Sequence, residues 1–277
     1  MNNWIYYKHA LIPSVAPHEI PDLTSIEDGT AWKSNGTPVF ARWTTEFDCG
    51  YETNWWFVIK DSPFDINSLK AKRRYEITKG TRNFEVREIL AQKYAEDLYN
   101  VQVAAYSSYP EKYRPTVDKD KFISSVQKWD CYICFGAFER ESEKLCGYAL
   151  LSKEGEKYVD FKVMRTNPER ERDGVNAALV DGILRYFDPF LAQGGYICDG
   201  ARSVNHETAF QDYLEKYFGF RKAYCKLHIA YNPRFKWLIG LLYPFRGVLL
   251  KMDGIGIVHS INAVLKMETI RREAEKR

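Results

Sequence analysis

The sequence predicts a mixed α/β (α+β) fold: a central mixed, mostly antiparallel sheet flanked by helices, followed by a C-terminal helical appendage. Three observations carry this. Three strand-like runs joined by short charged turns stand mid-chain, as an antiparallel meander does. A strand–helix–strand–helix–strand order follows them. Of the 277 residues, 45% are hydrophobic and 15% aromatic, enough to fill a sizeable core.

The elements justify this in order. Trp4–Lys8 and Pro38–Glu46 are rich in β-branched and aromatic residues and read as strands. Asn54–Lys60 is apolar on both faces and reads as a central strand. Ile66–Gly80 switches to helical period and ends on glycine, a helix stop. Phe84–Ile89 is a strand, and "AQKYAEDLY" a helix. Residues 107–120 form a loop rich in Tyr, Pro and Lys, and "DKDKFISSVQKW" a short helix opening on aspartate. The meander is Cys131–Phe138, Leu145–Leu151 and Tyr158–Met164, turned by "ERESEK" and "SKEGEK". A helix begins after "NPERERDG", then come the strand Gly195–Gly200, the helix "NHETAFQDYLEKY" and the strand Phe220–Tyr231. The pattern stops near residue 232, which divides the chain into a domain over 1–231 and an extension over 232–277.

Composition narrows the function. A net charge of +3 argues against a dedicated duplex nucleic-acid binder. The six cysteines include one close pair, Cys131 and Cys134. No second pair and no histidines stand at ligand spacing, so no metal is expected. Free thiols suit a reducing cytoplasm. The N-terminus lacks a basic start and a long apolar core, so no signal peptide is expected. No apolar run of about 20 residues suggests a transmembrane helix.

The stretch Asn167–Phe187 carries the chemistry. A helix starting just after a strand presents unpaired N–H groups and a positive dipole end, a site for phosphate or pyrophosphate. Gly174 lets backbone approach a ligand, and Arg165, Arg170 and Arg172 add charge that pairs with phosphates. The same residues also fit a solvated turn, with Asp173 capping the helix. Asp199, in a turn-like "CDG", and His206, in a first helical turn, lie near the carboxyl end of the second of two adjacent strands.

These residues resemble the GNAT superfamily of N-acetyltransferases. Val163, Pro168 and Gly174 fall in register with its acyl-CoA pyrophosphate loop, and Leu179 sits where the helix turns its apolar face inward. Glu171 stands where that family has Arg or Gln, and Asn176 replaces its second glycine. Asn205, Ala209, Gly219 and Phe220 match the layout of the family's last helix and strand. Glu215 occupies the place of its general-acid tyrosine, with Tyr213 and Tyr217 as neighbours. A second resemblance, to Fem-type aminoacyl transferases of peptidoglycan precursors, rests on Lys72, Arg74, Ile77, Lys79 and Gly80 before "FEVREI". Together the likenesses span residues 38–231.

The resemblance implies a cytoplasmic N-acyltransferase of acetyltransferase-like fold. Its donor is acetyl-CoA or another acyl-CoA, and its acceptor an amine, an amino sugar of an envelope polysaccharide being one candidate. The pantetheine arm would lie where Tyr158–Met164 and Gly195–Gly200 splay apart. Backbone N–H groups at Val163 and Met164 would stabilise the oxyanion, and Arg165, Arg170, Arg172, Asp173, Gly174, Val175, Asn176 and Asn205 would hold the donor. Asp199 and His206 are the candidate bases, Tyr213 and Tyr217 the candidate acids. Two alternatives keep the fold: a Fem-type transferase using aminoacyl-tRNA, with Lys72–Arg74 toward the tRNA, and a binding protein without catalysis.

Asn232–Met252 is apolar but punctuated by Arg234, Lys236, Arg246 and Lys251, with Pro244 breaking the run. It fits extra core packing, the cover of a dimer partner, or a peripheral contact with the inner membrane through Trp237, Leu241 and Phe245.

Overall fold

Apolar residues at helical or alternating spacing become the buried faces of two compact units in the structure, a computed structural model that describes residues 4–33, 36–204, 209–252 and 256–275. The first unit holds residues 1–58, 201–208 and 222–277, and the second 59–200 and 209–221. The N-terminal stretch and the extension after 232 thus belong to one unit.

That first unit contains β1 (Trp4–Tyr7), β2 (Ala10–Pro13), α1 (Thr24–Glu27), β3 (Phe40–Thr45) and most of β4 (Trp56–Lys60). The expected strand Trp4–Lys8 is the first arm of a hairpin, turned at Lys8 and His9, both at positive φ. Its four-stranded sheet runs β1-β2-β3 and then a strand from the far end of the chain, Lys226–Tyr231. The expected single strand Phe220–Tyr231 is in fact two, Arg221–Tyr224 and Lys226–Tyr231, broken at the buried Cys225.

The second unit contains α2 (Ala71–Asn83), β5 (Phe84–Ile89), α3 (Ala95–Ser107), α4 (Lys119–Val126), β6 (Ile133–Glu139), β7 (Leu145–Glu154), β8 (Tyr158–Thr166), α5 (Val175–Ala192), β9 (Tyr196–Ala201, its last residue beyond the boundary) and α6 (Ala209–Phe218). Its sheet is ordered β9-β8-β7-β6-β5. The meander is antiparallel as expected, and β8 and β9 are parallel. Asp118 starts α4 by accepting a hydrogen bond from the Lys121 N–H at 3.0 Å. Leu98, Val101 and Val126 of α3 and α4 pack with Tyr148 and Leu150 on one face of the sheet. On α5, Leu179, Val180 and Ile183 are fully buried, and truncating such a residue to alanine costs about 2–5 kcal/mol.

Gly80 does not end its helix. It sits inside α2, buried, and α2 runs on to Asn83. A Cβ on Gly80 would stand 2.4 Å from the Gly174 carbonyl oxygen, and one on Gly174 would stand 2.8 Å from the Gly80 Cα. The two glycines let α2 cross the start of α5 backbone to backbone.

The remaining helices complete the first unit: α7 (Pro233–Leu242), α8 (Arg246–Leu250) and α9 (Gly256–Ala274), with β10 (Arg221–Tyr224, entering from the second unit) and β11 (Lys226–Tyr231). Met267 of α9 joins Phe40, Trp55 and Leu227 in a core cluster. Beside it the buried Glu268 accepts from Tyr231 Oη at 2.8 Å and from Arg271 and Arg272 at 2.8 and 2.7 Å. Core packing takes up only part of the apolar run Asn232–Met252, with Leu238, Leu242, Tyr243 and Leu249 half-buried. Ile239 is buried, whereas Trp237, Leu241 and Phe245 are exposed. Among the described residues, no helix is long and apolar enough to cross a membrane.

Candidate functional site

The second unit's sheet opens where β8 and β9 part. They pair through Tyr158, Val159 and Asp160 against Tyr196, Ile197 and Cys198. Beyond these β8 runs on to Thr166 and β9 to Ala201 without pairing to each other. A bulge helps to separate them. Leu150 and Leu151 of β7 oppose Val163 and Phe161, so Lys162 is the extra residue, and a bulge bends its strand and increases its twist. The Asn167 N–H bonds to the Cys146 carbonyl at 2.8 Å. Strand alternation from that bond turns the Met164 and Thr166 amides away from β7, into the gap, and the Val163 amide toward β7.

A cavity of about 510 Å³ fills this gap, lined by residues 161–166 of β8, Asn176 of α5, Asp199 of β9, and Ala209, Phe210 and Tyr213 of α6. Burial pushes the Asp199 carboxyl up to about 7. A hydrogen bond from Gln211 opposes this, and the charge of Asp160 adds to it. A carboxyl poised there exchanges a proton near neutral pH. Burial also raises the Tyr213 phenol, which stays protonated. Its ring stacks on Phe210 at 6.4 Å between centroids and packs on Tyr217 at 4.9 Å. Arg165 donates from Nη1 to the Met164 carbonyl at 2.8 Å, and its guanidinium lies 5.6 Å from the centre of the Tyr106 ring. Its Nε is buried with no partner among the described residues. Asn176 Oδ1 accepts from the Thr166 hydroxyl at 2.6 Å.

The structure therefore brings Val163, Met164, Arg165, Asn176, Asp199 and Tyr213 together. Several other residues singled out in the sequence stand elsewhere. Arg170 pairs with Glu139 at 2.8 Å and with Asp173 at 3.4 Å. Asp173 does not cap α5: its neighbour Gly174, at φ 90°, holds that position, and Asn167 caps the preceding short 3-10 helix Pro168–Asp173. The side on which Gly174 lacks a Cβ faces Gly80. Val175 is fully buried and Arg172 is exposed. Tyr217 turns to Glu76, whose hydrogen bond raises its phenol, and to the Arg73 guanidinium, 5.6 Å from its ring centre. Asn205 and His206 lie outside the described residues.

The residues of the Fem-type resemblance hold the loop before α5. Lys79 Nζ donates to the Arg172 carbonyl at 2.6 Å, and Asn83 Nδ2 to the Asp173 carbonyl at 2.9 Å. Arg73 of the basic run donates to the Lys216 carbonyl at 2.7 Å. Thr166, Phe210 and Gln211 were not read from sequence as site residues. The only signal for Phe210 was its place beside Ala209 in the resemblance to the last helix. Among the described residues, no group of three or more His, Cys, Asp or Glu stands together as metal ligands.

No family's sequence profile matches the chain, and no curated protein matches it. Solved structures do. A conserved protein of unknown function from Bacteroides thetaiotaomicron is 11% identical, with 80% of this chain and 78% of that one covered and a TM-score of 0.52. The L-PGS structure from Bacillus licheniformis is 13% identical, covers 86% and 83%, and has a TM-score of 0.48. FemX is 11% identical, covers 66% and 63%, and has a TM-score of 0.47. At such identities the likeness is one of fold, and the mixed α/β architecture expected from the sequence is the one found.

Proposed function

We propose that the gap between β8 and β9 is the active site of an N-acyltransferase that takes its acyl group from an acyl-CoA thioester, acetyl-CoA or another, and gives it to an amine. The observation that carries this is the cavity itself. It sits on an unpaired strand edge and joins a carboxyl held up to about 7 to a buried phenol.

The chemistry follows from those groups. The Asp199 carboxylate takes a proton from the incoming ammonium, leaving an amine lone pair. That pair attacks the thioester carbon, the C–N bond forms, and the carbonyl oxygen becomes an oxyanion facing the Met164 amide. The oxyanion collapses, the C–S bond breaks, and Tyr213 gives its proton to the thiolate. Solvent restores that proton, the product amide nitrogen releases its own, and Asp199 returns to solvent the proton it took from the ammonium. Much of the acceleration would come from holding the two substrates together. Asn176, at the N-terminus of α5, and the Arg165 guanidinium would receive the donor's phosphates. The acceptor class we favour is a small amine such as an amino sugar.

One observation favours a donor without a pyrophosphate, the aminoacyl ester of a tRNA. Arg170 is already engaged by Glu139 and Asp173, and Glu171 holds an exposed carboxylate on the loop before α5. Titration calorimetry with coenzyme A separates the two. Asn176→Asp keeps an oxygen to accept from Thr166 and adds a negative charge at the helix start. The acyl-CoA reading expects binding by the unaltered chain, weakened about tenfold or more in the variant, a change of about 1.4 kcal/mol. Absence of binding by the unaltered chain at millimolar coenzyme A would overturn that reading.

A further inference from the structure

The first unit carries a surface that its own core does not explain. Along α7, α8 and the turn between them, Trp237, Leu241, Phe245 and Val248 recur every three or four residues and are 66%, 58%, 57% and 61% exposed. Large apolar side chains set contiguously in water mark a surface that meets something else. The segment 232–252 has four basic residues, Arg234, Lys236, Arg246 and Lys251, and no acidic one. All four are exposed. An apolar ridge with a tryptophan and a ring of basic residues is the composition of a membrane-interface helix. The absence of acidic side chains complements an anionic surface and fits an ordinary protein partner less well.

A cavity of about 580 Å³ opens beside the ridge, lined by Arg202, Arg246, Lys266, Leu250 and Thr269 among others. Its single acidic side chain, Glu273, is engaged at 2.7 Å by Asn54 Nδ2. Arg202 donates from Nη1 to the Asn54 carbonyl at 2.8 Å and stacks 4.2 Å from the Trp56 ring centre. Its Nε is buried and has no partner among the described residues, and burial lowers the guanidinium's proton affinity. The Arg246 guanidinium lies over Tyr243, 4.4 Å from the ring centre, and donates from Nη1 to the Tyr243 carbonyl at 3.1 Å. Three cations line this one cavity beside the ridge.

We propose that the α7–α8 ridge docks this chain on an anionic phospholipid membrane, with the Arg202–Arg246–Lys266 cavity receiving a lipid phosphate. The apolar side chains enter the acyl boundary, and the basic residues stay at headgroup level.

Flotation of the full chain tests this, using vesicles of phosphatidylcholine with and without phosphatidylglycerol at low and high salt. The expected result is flotation with phosphatidylglycerol that falls with added salt. Trp237→Asp abolishes it, and Arg246→Glu or Lys236→Glu lowers the affinity about fivefold or more each. Lys266→Gln reduces the preference for phosphatidylglycerol while leaving the ridge intact. Arg202→Gln does the same where its melting stays cooperative, and Lys266→Gln carries the test where it does not. Three results overturn the proposal: no flotation at low salt, flotation indifferent to phosphatidylglycerol, or flotation unchanged by Trp237→Asp. A dimer in sedimentation that Trp237→Asp dissociates, with no vesicle binding by either form, assigns the ridge to a second copy instead.

Discussion

Asp199 joins the proposed chemistry to a titration. Only its carboxylate accepts a proton, so the rate of acyl transfer should rise with pH through about 7 and level off above it. Asp199→Asn should lose about a hundredfold in turnover and flatten the profile. A rise of unchanged midpoint in the variant would remove Asp199 from the reaction. Stability moves in the opposite direction. The folded-state carboxyl titrates near 7 against an ordinary value of 3.8, so the folded chain holds its proton where the unfolded chain has lost it. Stability conferred by the neutral form is complete below about 4 and declines as the pH rises to about 7. Asp199→Asn should therefore gain about 2 kcal/mol above that window, read by urea denaturation. The sequence marked Asp199 as the residue at the end of a strand, and this was legible because a strand's carboxyl end is a local feature. Its burial was not legible. Phe210 and Tyr213, which line the same cavity, come from α6, and nothing in "CDGARS" shows that they meet it there. Tyr213 and Tyr217 looked equivalent in sequence. Their separation into one cavity residue and one partner of Glu76 depends on where α2 lies.

At the scale of elements, the crossing of α2 and α5 is the tightest joint in the second unit. Gly80→Ala forces a Cβ to 2.4 Å from the Gly174 carbonyl and should cost about 1–3 kcal/mol by overpacking. Gly174→Ala adds the strain of a left-handed residue, about 1–2 kcal/mol more. Urea unfolding of both variants checks this, and unaltered midpoints would contradict the tight crossing. The meander was legible because its alternation and charged turns are short-range signals. The role of Gly174 was not, since its partner lies in another helix far away in sequence. In the first unit, α9 is held to β11 by Glu268. Burial alone would raise that carboxyl, but the hydrogen bonds of Arg271, Arg272 and Tyr231 hold it down at about 2 against an ordinary 4.5. Its stabilisation is present above about 4.5 and is lost as the pH falls through about 2. Glu268→Gln leaves two arginines short of their partner and should cost about 3 kcal/mol at neutral pH, with a shallower loss of stability in acid. A variant as stable as the unaltered chain at neutral pH would refute the ion cluster's role.

At the scale of the whole molecule, each unit supplies its own feature. The second holds the cavity, and the first holds the exposed ridge with its basic pocket. The sequence suggested one domain with an appendage because its pattern stops near residue 232. The structure also joins residues from both ends of the chain through the pairing of β3 with β11, a long-range contact without a local signature. The central claim is that the parted edge of β8 receives an acyl-CoA donor. Amide hydrogen exchange of the full chain, with and without acetyl-CoA, tests it most directly. The account predicts slowed exchange over residues 161–166 and at the start of α5, 175–178, with residues 226–231 of the first unit unchanged. Exchange unaltered over 161–166 at saturating acetyl-CoA, or protection confined to the first unit, would contradict it.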